Sequence, residues 1–222
     1  MTEYIKTLEI EFEKKKDPTI ASEQKAYMRN QFEFYGIKST ARREIQKPFM
    51  AKNYLPNKED LNNIVTILWQ KPQREYQLFS QELVSRYAKI FEKQDIELLE
   101  YMVTNKSWWD TVDFVSYNLM GQYFKTYVAE RKACVNKWLE SNNIWLQRSA
   151  LLFQLKYKED LDTHLLSLVI NNLLGSKEFF INKAIGWILR EYSKTNPKWV
   201  MDFTSKTDLS ALSNREALRL LK

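Results

Sequence analysis

The sequence is nearly without cysteine and histidine. Cys134 is single among 222 residues, so no disulfide can close within the chain and no cysteine-based zinc site can be assembled. His164 is also single, which excludes multi-histidine metal centres and argues against triads that depend on histidine. Glycine and proline are scarce, with 4 and 5 copies. Sheet-rich folds consume these residues in tight turns, so their scarcity favours long helices joined by short connections. No run of about 18 apolar residues is present to span a membrane, and no N-terminal apolar run resembles a signal peptide. A cytoplasmic protein without a membrane partner is expected.

Apolar residues make up 44% of the chain, enough to bury a substantial core. The length suits one domain over residues 1–222 or a short repeat array. Lysine and arginine total 34 against 28 acidic residues, a net charge of +6. That excess permits a polyanionic partner, but charge alone favours a solvated, solubilising surface.

Apolar periodicity predicts helices over 1–16, 21–34 and from Ser39 or Thr40 through Arg42, Arg43 and Ile45. Asp17-Pro18 reads as the end of the first, and Gly36 as the stop after the second. Beyond these, helices are expected in pairs: 57–69 with 73–88, 94–104 with 107–124, 129–139 with 143–157, 161–174 with 177–193, and a shorter pair around Trp199 and 211–221. The second members begin near Gln73, Ser107, Asn143, Lys177 and Ser213, a period of roughly 35 residues, inside the range of helical repeats. The expected fold is therefore all-α, an α-solenoid of helix pairs, with an irregular helical bundle as the competing arrangement. In a solenoid the second helices line up and their outward positions form one concave surface. Arg74, Arg86, Lys89, Arg148, Lys156, Lys183, Arg190, Arg215 and Arg219 fall on such helices. Arg148 and Lys156 are spaced to share a helix face, as are Lys183 and Arg190. A basic stripe of this kind can follow a phosphate backbone, or the charges can scatter over several faces.

The segment Lys106-Ser107-Trp108-Trp109-Asp110-Thr111-Val112-Asp113 concentrates chemistry. Successive helical residues diverge by about 100°, so one indole can be core while the other faces out. Trp109 and Asp113, at i and i+4, stack on one face. Ser107 or Asp110 can serve the helix start. Read alone, the segment also fits one core tryptophan beside two solvated acids.

Two further segments matter: Ser141-Asn142-Asn143-Ile144-Trp145-Leu146-Gln147-Arg148, continuing from Ala150 to Lys158, and Ser176-Lys177-Glu178-Phe179-Phe180-Ile181-Asn182-Lys183, continuing from Ala184 to Tyr192. Both resemble the AlkD family of bacterial alkylpurine DNA glycosylases, which are built from HEAT-like helical repeats. The resemblance extends to Tyr27-Met28, to the stretch from Phe34 to Arg43 around Gly36-Ile37, and to Ser213-Asn214-Arg215-Glu216-Ala217. It implies a HEAT-like solenoid with a concave basic face that binds double-stranded DNA containing alkylated purines. It implies Asp113 as the catalytic carboxylate, Trp109 and Trp187 as aromatic walls, and Arg148 as the cation of the cleft. Lys156 and Arg190 match positions that meet DNA phosphates, Arg43 and Arg86 are further DNA-binding candidates, and Tyr27 matches a position near the lesion-bearing duplex. At Lys38-Ser39-Thr40 the chain departs from the Gln-Thr-Pro that family members can carry, and Lys38 can substitute a phosphate contact for the lost amide. No metal or cofactor is implied. A monomer in the bacterial cytoplasm, associated with the nucleoid, is expected.

These residue types suit the chemistry. Alkylation at N3 or N7 gives a purine a positive charge, the base leaves readily, and C1′ takes on oxocarbenium character. A carboxylate near C1′ stabilises that charge and can orient or activate water. Indole faces favour a cation by about 0.5–2 kcal/mol each. Plainer roles exist for each residue: Trp187 as a core aromatic beneath Gly186, Arg148 paired with a carboxylate on the adjacent helix, Asp113 as a surface acid. Three functions follow for comparison. The first is a monofunctional glycosylase that excises N3-alkyladenine and N7-alkylguanine, with no lyase step because no lysine stands out as a Schiff-base nucleophile. The second is a non-catalytic helical-repeat DNA-binding protein, which needs the basic stripe but not a carboxylate that repels phosphate. The third is a protein-binding scaffold, which the basic excess disfavours.

Overall fold

The computed structural model describes residues 2–221 and, among them, is helical without strands; one isolated bridge joins Glu33 and Gln73. The chain forms two compact units, Met1–Ile90 and Phe91–Lys222. The all-α expectation holds.

The first unit contains α1 (Thr2–Glu13), α2 (Pro18–Tyr27), α3 (Ser39–Gln46), α4 (Lys58–Gln70) and α5 (Arg74–Ser85). Met1, part of the expected first helix, lies outside the described residues. Leu8 and Phe12 of α1, Leu61, Ile64 and Trp69 of α4, and Tyr76 and Phe79 of α5 are fully or almost fully buried and form the core. Asp17-Pro18 does not end α1 but starts α2: the Asp17 carboxylate accepts from the backbone N–H of Thr19 and Ile20, and Pro18 occupies the first turn. α2 also ends seven residues before the expected 34, because Arg29 and Asn30 adopt left-handed conformations (φ 55° and 57°). Phe32 and Phe34 therefore sit in an irregular segment. Buried Glu75 pins that segment by accepting the N–H groups of Tyr35, Gly36 and Ile37 at 3.1 Å each. Gly36 is not a helix stop. Its φ is +87°, and a Cβ there would lie 2.0 Å from the Asp17 carbonyl oxygen. Arg74 does not join an open basic face; it is fully buried, its guanidinium 3.9 Å from the centroid of the Phe32 ring.

The second unit contains α6 (Asp95–Thr104), α7 (Trp109–Phe114), a π-helical turn (Val115–Met120), α8 (Gly121–Thr126), α9 (Arg131–Glu140), α10 (Ile144–Leu152), α11 (Thr163–Asn172), α12 (Phe179–Tyr192), α13 (Pro197–Lys206) and α14 (Ala211–Ala217). Side chains of Asn143, Asp162, Asn196 and Ser210 cap α10, α11, α13 and α14. α10 packs on both α9 and α12, and α12 packs on α14, so second members of successive pairs lie side by side as a helical repeat requires. α10 is shorter than the expected 143–157. It ends at Leu152, and Lys156 lies in the turns beyond, so the eight-residue helical spacing from Arg148 does not apply. Close packing of α14 on α12 depends on Gly186: a Cβ there would meet Glu216 Cβ at 2.5 Å and the Ser213 carbonyl oxygen at 2.9 Å.

Candidate active site

Trp108 is the extended residue that precedes α7 (φ −156°, ψ 162°), and this separates the two adjacent indoles. Trp108 packs against Trp145 and edge-on to Phe180, with ring centroids 5.9 and 5.3 Å apart. Trp109 begins the helix and lines an open cleft, with Asp113 one turn later on the same face. Asp110 is the acidic residue in the first turn of α7, whereas the Ser107 hydroxyl donates back to the Val103 carbonyl.

Asp113 is buried and faces Arg148 of α10, which is 3% exposed. The pair is bidentate: Arg148 Nε donates to Asp113 Oδ1 at 2.7 Å and Nη2 donates to Oδ2 at 2.9 Å. Nη1 donates to the Phe180 carbonyl, which fixes the plane of the guanidinium. Burial pushes the Asp113 carboxyl above the usual aspartate range; the hydrogen bonds and charge of Arg148 oppose that rise, and the charge of Asp110 adds to it. The carboxylate thus sits at the edge of the cleft with its orientation set by a cation. The buried Ser116 hydroxyl donates to the Ser149 hydroxyl at 2.8 Å and so ties the π-helical turn after α7 to α10.

The cleft has a volume of about 380 Å³. Trp109, Trp187, Phe179 and Phe180 supply its aromatic surface, and Asp113, Arg148, Lys183 and Arg190 its charges. Trp187 is only partly buried, so it is a wall and not a core aromatic, and it packs edge-on to Tyr117 with centroids 6.1 Å apart. Exposed Lys156 adjoins through the same tyrosine: its ammonium lies 4.4 Å from the Tyr117 ring centroid and donates to Asn118 Oδ1 at 2.9 Å. Lys183 and Arg190 share the face of α12 that meets the cleft, and both pair with Glu216 of α14. Glu216 was not among the residues singled out from sequence. It lies 26 positions from Arg190, and no helical spacing connects them. Its carboxyl is held below the usual range, chiefly by the hydrogen bond from Lys183.

Asp113, Arg148, Trp109, Trp187 and Arg190 thus line one cleft of the second unit, with Lys156 beside it. Tyr27, Lys38, Arg43 and Arg86 belong to the first unit and are all exposed; Tyr27 reaches 73%. Lys38 precedes α3, Arg43 is 3.9 Å from Glu82, and Arg86 follows α5. Among the described residues no group of three histidine, cysteine or acidic side chains is placed to hold a metal ion, and no helix is long and apolar enough to cross a membrane.

The family model for DNA alkylation repair enzymes matches residues 8–221 of this chain. A solved structure of a predicted DNA alkylation repair enzyme from Enterococcus faecalis is similar with a TM-score of 0.87 and 34% sequence identity, over 93% of this chain and 96% of that one. No curated protein matches the sequence.

Proposed function

This chain belongs to the family of DNA alkylation repair enzymes, and from that premise we propose that it is a monofunctional DNA glycosylase for cationic alkylated purines in duplex DNA. The observation that carries the proposal is the buried, bidentate Asp113–Arg148 pair at the edge of an aromatic-walled cleft. A protein that only binds DNA gains from the cations of the cleft, and a carboxylate at its edge subtracts from their charge toward phosphate.

The chemistry follows from the charges. The alkylated base is already a cation, so the C1′–N bond breaks with its electron pair passing to the base, which leaves neutral. Positive charge then develops at C1′, where Asp113 offsets it. Water, oriented by the Asp113 carboxylate, adds to C1′ and passes its proton to that carboxylate and on to solvent. Trp109 and Trp187 favour the cationic ring by their faces. Arg148 is a positioning residue: it fixes both carboxylate oxygens. Arg190 and Lys156 meet the phosphates of the duplex, as do Arg43, Arg86 and Lys38 of the first unit, with Tyr27 near the lesion. The products are free base and an abasic site, and the protein acts as a monomer in the cytoplasm, without metal or cofactor.

The direct test is release of N3-methyladenine and N7-methylguanine from methylated duplex DNA by the purified protein. Release well above spontaneous depurination is expected. Duplex binding with no release above that background would replace this reading by non-catalytic DNA binding.

A further inference from the structure

Lys183 and Arg190 of α12 are both tied to a carboxylate, that of Glu216. Lys156 is held differently. Its exposed ammonium lies 4.4 Å from the centroid of the Tyr117 ring, inside cation–π range, and donates to Asn118 Oδ1 at 2.9 Å. Both partners are neutral, so they set the place of the ammonium without cancelling its charge, and the hydrogen bond takes only one of its three donors. The ring is itself held. It is half-buried and packs edge-on with Trp187 of the cleft wall, centroids 6.1 Å apart. Burial, and then the charge of Asp113, push the Tyr117 hydroxyl above the usual tyrosine range, so Lys156 rests on a neutral phenol.

The backbone explains how Tyr117 reaches this face. Trp109, Asp113 and Tyr117 stand at i, i+4 and i+8. Each four-residue step in an α-helix overshoots a full turn by about 40°, so an uninterrupted helix carries the third side chain about 80° away from the first. Val115–Met120 is π-helical instead. A π turn takes one more residue into each hydrogen-bonded ring and so winds the chain back toward the starting face.

We propose that Tyr117 is a positioning residue for DNA binding: buttressed by Trp187, its ring holds the Lys156 ammonium beside the cleft, where it meets a phosphate of the bound strand. The inference rests on the reading above that the chain binds duplex DNA through Lys156, and it gives the π-helical turn a role in that binding. It does not depend on what enters the cleft.

The test is a double-mutant cycle on the affinity for undamaged duplex at low salt. Tyr117→Leu removes the ring and should weaken binding about two- to fivefold, the effect of one exposed cation–π contact. Tyr117→Phe keeps the ring and should bind as wild type does. In a Lys156→Ala background Tyr117→Leu should cost nothing further, because its effect passes through the ammonium. Any of three results overturns the proposal. The first is an unchanged affinity in Lys156→Ala. The second is an unchanged affinity in Tyr117→Leu, or the same loss in Tyr117→Phe. The third is an equal loss from Tyr117→Leu with and without Lys156, the mark of a merely structural role. Should Tyr117→Leu not fold, Tyr117→Met, which keeps bulk without a ring, takes its place in the cycle. Because affinity is measured without a lesion, the two ideas separate. Wild type that excises N7-methylguanine but gives any of these three results sinks only the role of Tyr117. Wild type that gives the expected cycle but releases no base sinks only the glycosylase reading.

Discussion

Arg148 lines the cleft. It pairs with a carboxylate on the neighbouring helix, and that carboxylate is Asp113, the group proposed to face C1′. Because burial holds the Asp113 carboxyl above the usual aspartate range, the ionised form that the proposed mechanism uses is lost at a higher pH than for an ordinary aspartate. The sign is fixed: a raised pKa means that activity falls as pH drops through it. The acid limb of kcat/KM, which reports the free enzyme, should therefore have its midpoint above about 3.9 and should disappear in Asp113→Asn. A midpoint at or below that value would show that the buried pair does not control the rate. In the proposed mechanism Trp109 acts through its face. Trp109→Ala removes both stacking area and a cation–π contact of about 0.5–2 kcal/mol, so excision of N7-methylguanine should slow roughly 2- to 30-fold and lesion binding should weaken. Equal rates for the two proteins under single-turnover conditions would remove Trp109 from the site.

At the scale of elements, the cleft wall depends on how closely α14 approaches α12. Gly186→Ala puts a methyl group within 2.5 Å of Glu216 Cβ and 2.9 Å of a backbone oxygen, so the helices must separate. Overpacking of this kind costs about 1–3 kcal/mol, which for a chain of this size lowers the melting temperature by roughly 2–12 °C. An unchanged melting curve would mean that the contact between the two helices is soft. Sequence located most helices of the second unit to within a residue or two, because polar caps and apolar periodicity mark them independently, as Asn143 does before α10. It failed where the chain turns without glycine or proline. α2 stops at left-handed Arg29 and Asn30, and α10 stops before a run of turns that contains neither breaker. Asp17-Pro18 is a legible signal that was read in the wrong direction, since a cap and a first-turn proline begin a helix as readily as they follow one. The π-helical turn after Asp113 leaves no mark that periodicity can detect.

For the molecule as a whole, the local segments carried the family resemblance and hence the cleft residues Trp109, Asp113, Arg148, Trp187 and Arg190. Long-range pairing was not legible. Glu216, which meets two cleft cations, was invisible to any spacing rule, and Arg74, counted with the open basic residues, is buried. The net charge of +6 is therefore a poor guide to how many cations meet DNA. Exposed Lys156 is one that is free to do so beside the cleft, its ammonium resting on Tyr117. Lys156→Ala should weaken binding to every duplex sequence and flatten the salt slope by about 0.9, and an unchanged slope would place the DNA elsewhere. The central claim is that Asp113 stabilises charge at C1′, and it is tested most directly by single-turnover excision of N7-methylguanine with saturating Asp113→Asn, which separates chemistry from binding. The substitution keeps the side-chain volume and removes the charge. The rate should fall by on the order of 10- to 1000-fold, about 1.4–4 kcal/mol of transition-state stabilisation, while duplex binding stays equal or tightens. A wild-type rate in the folded variant would contradict the account.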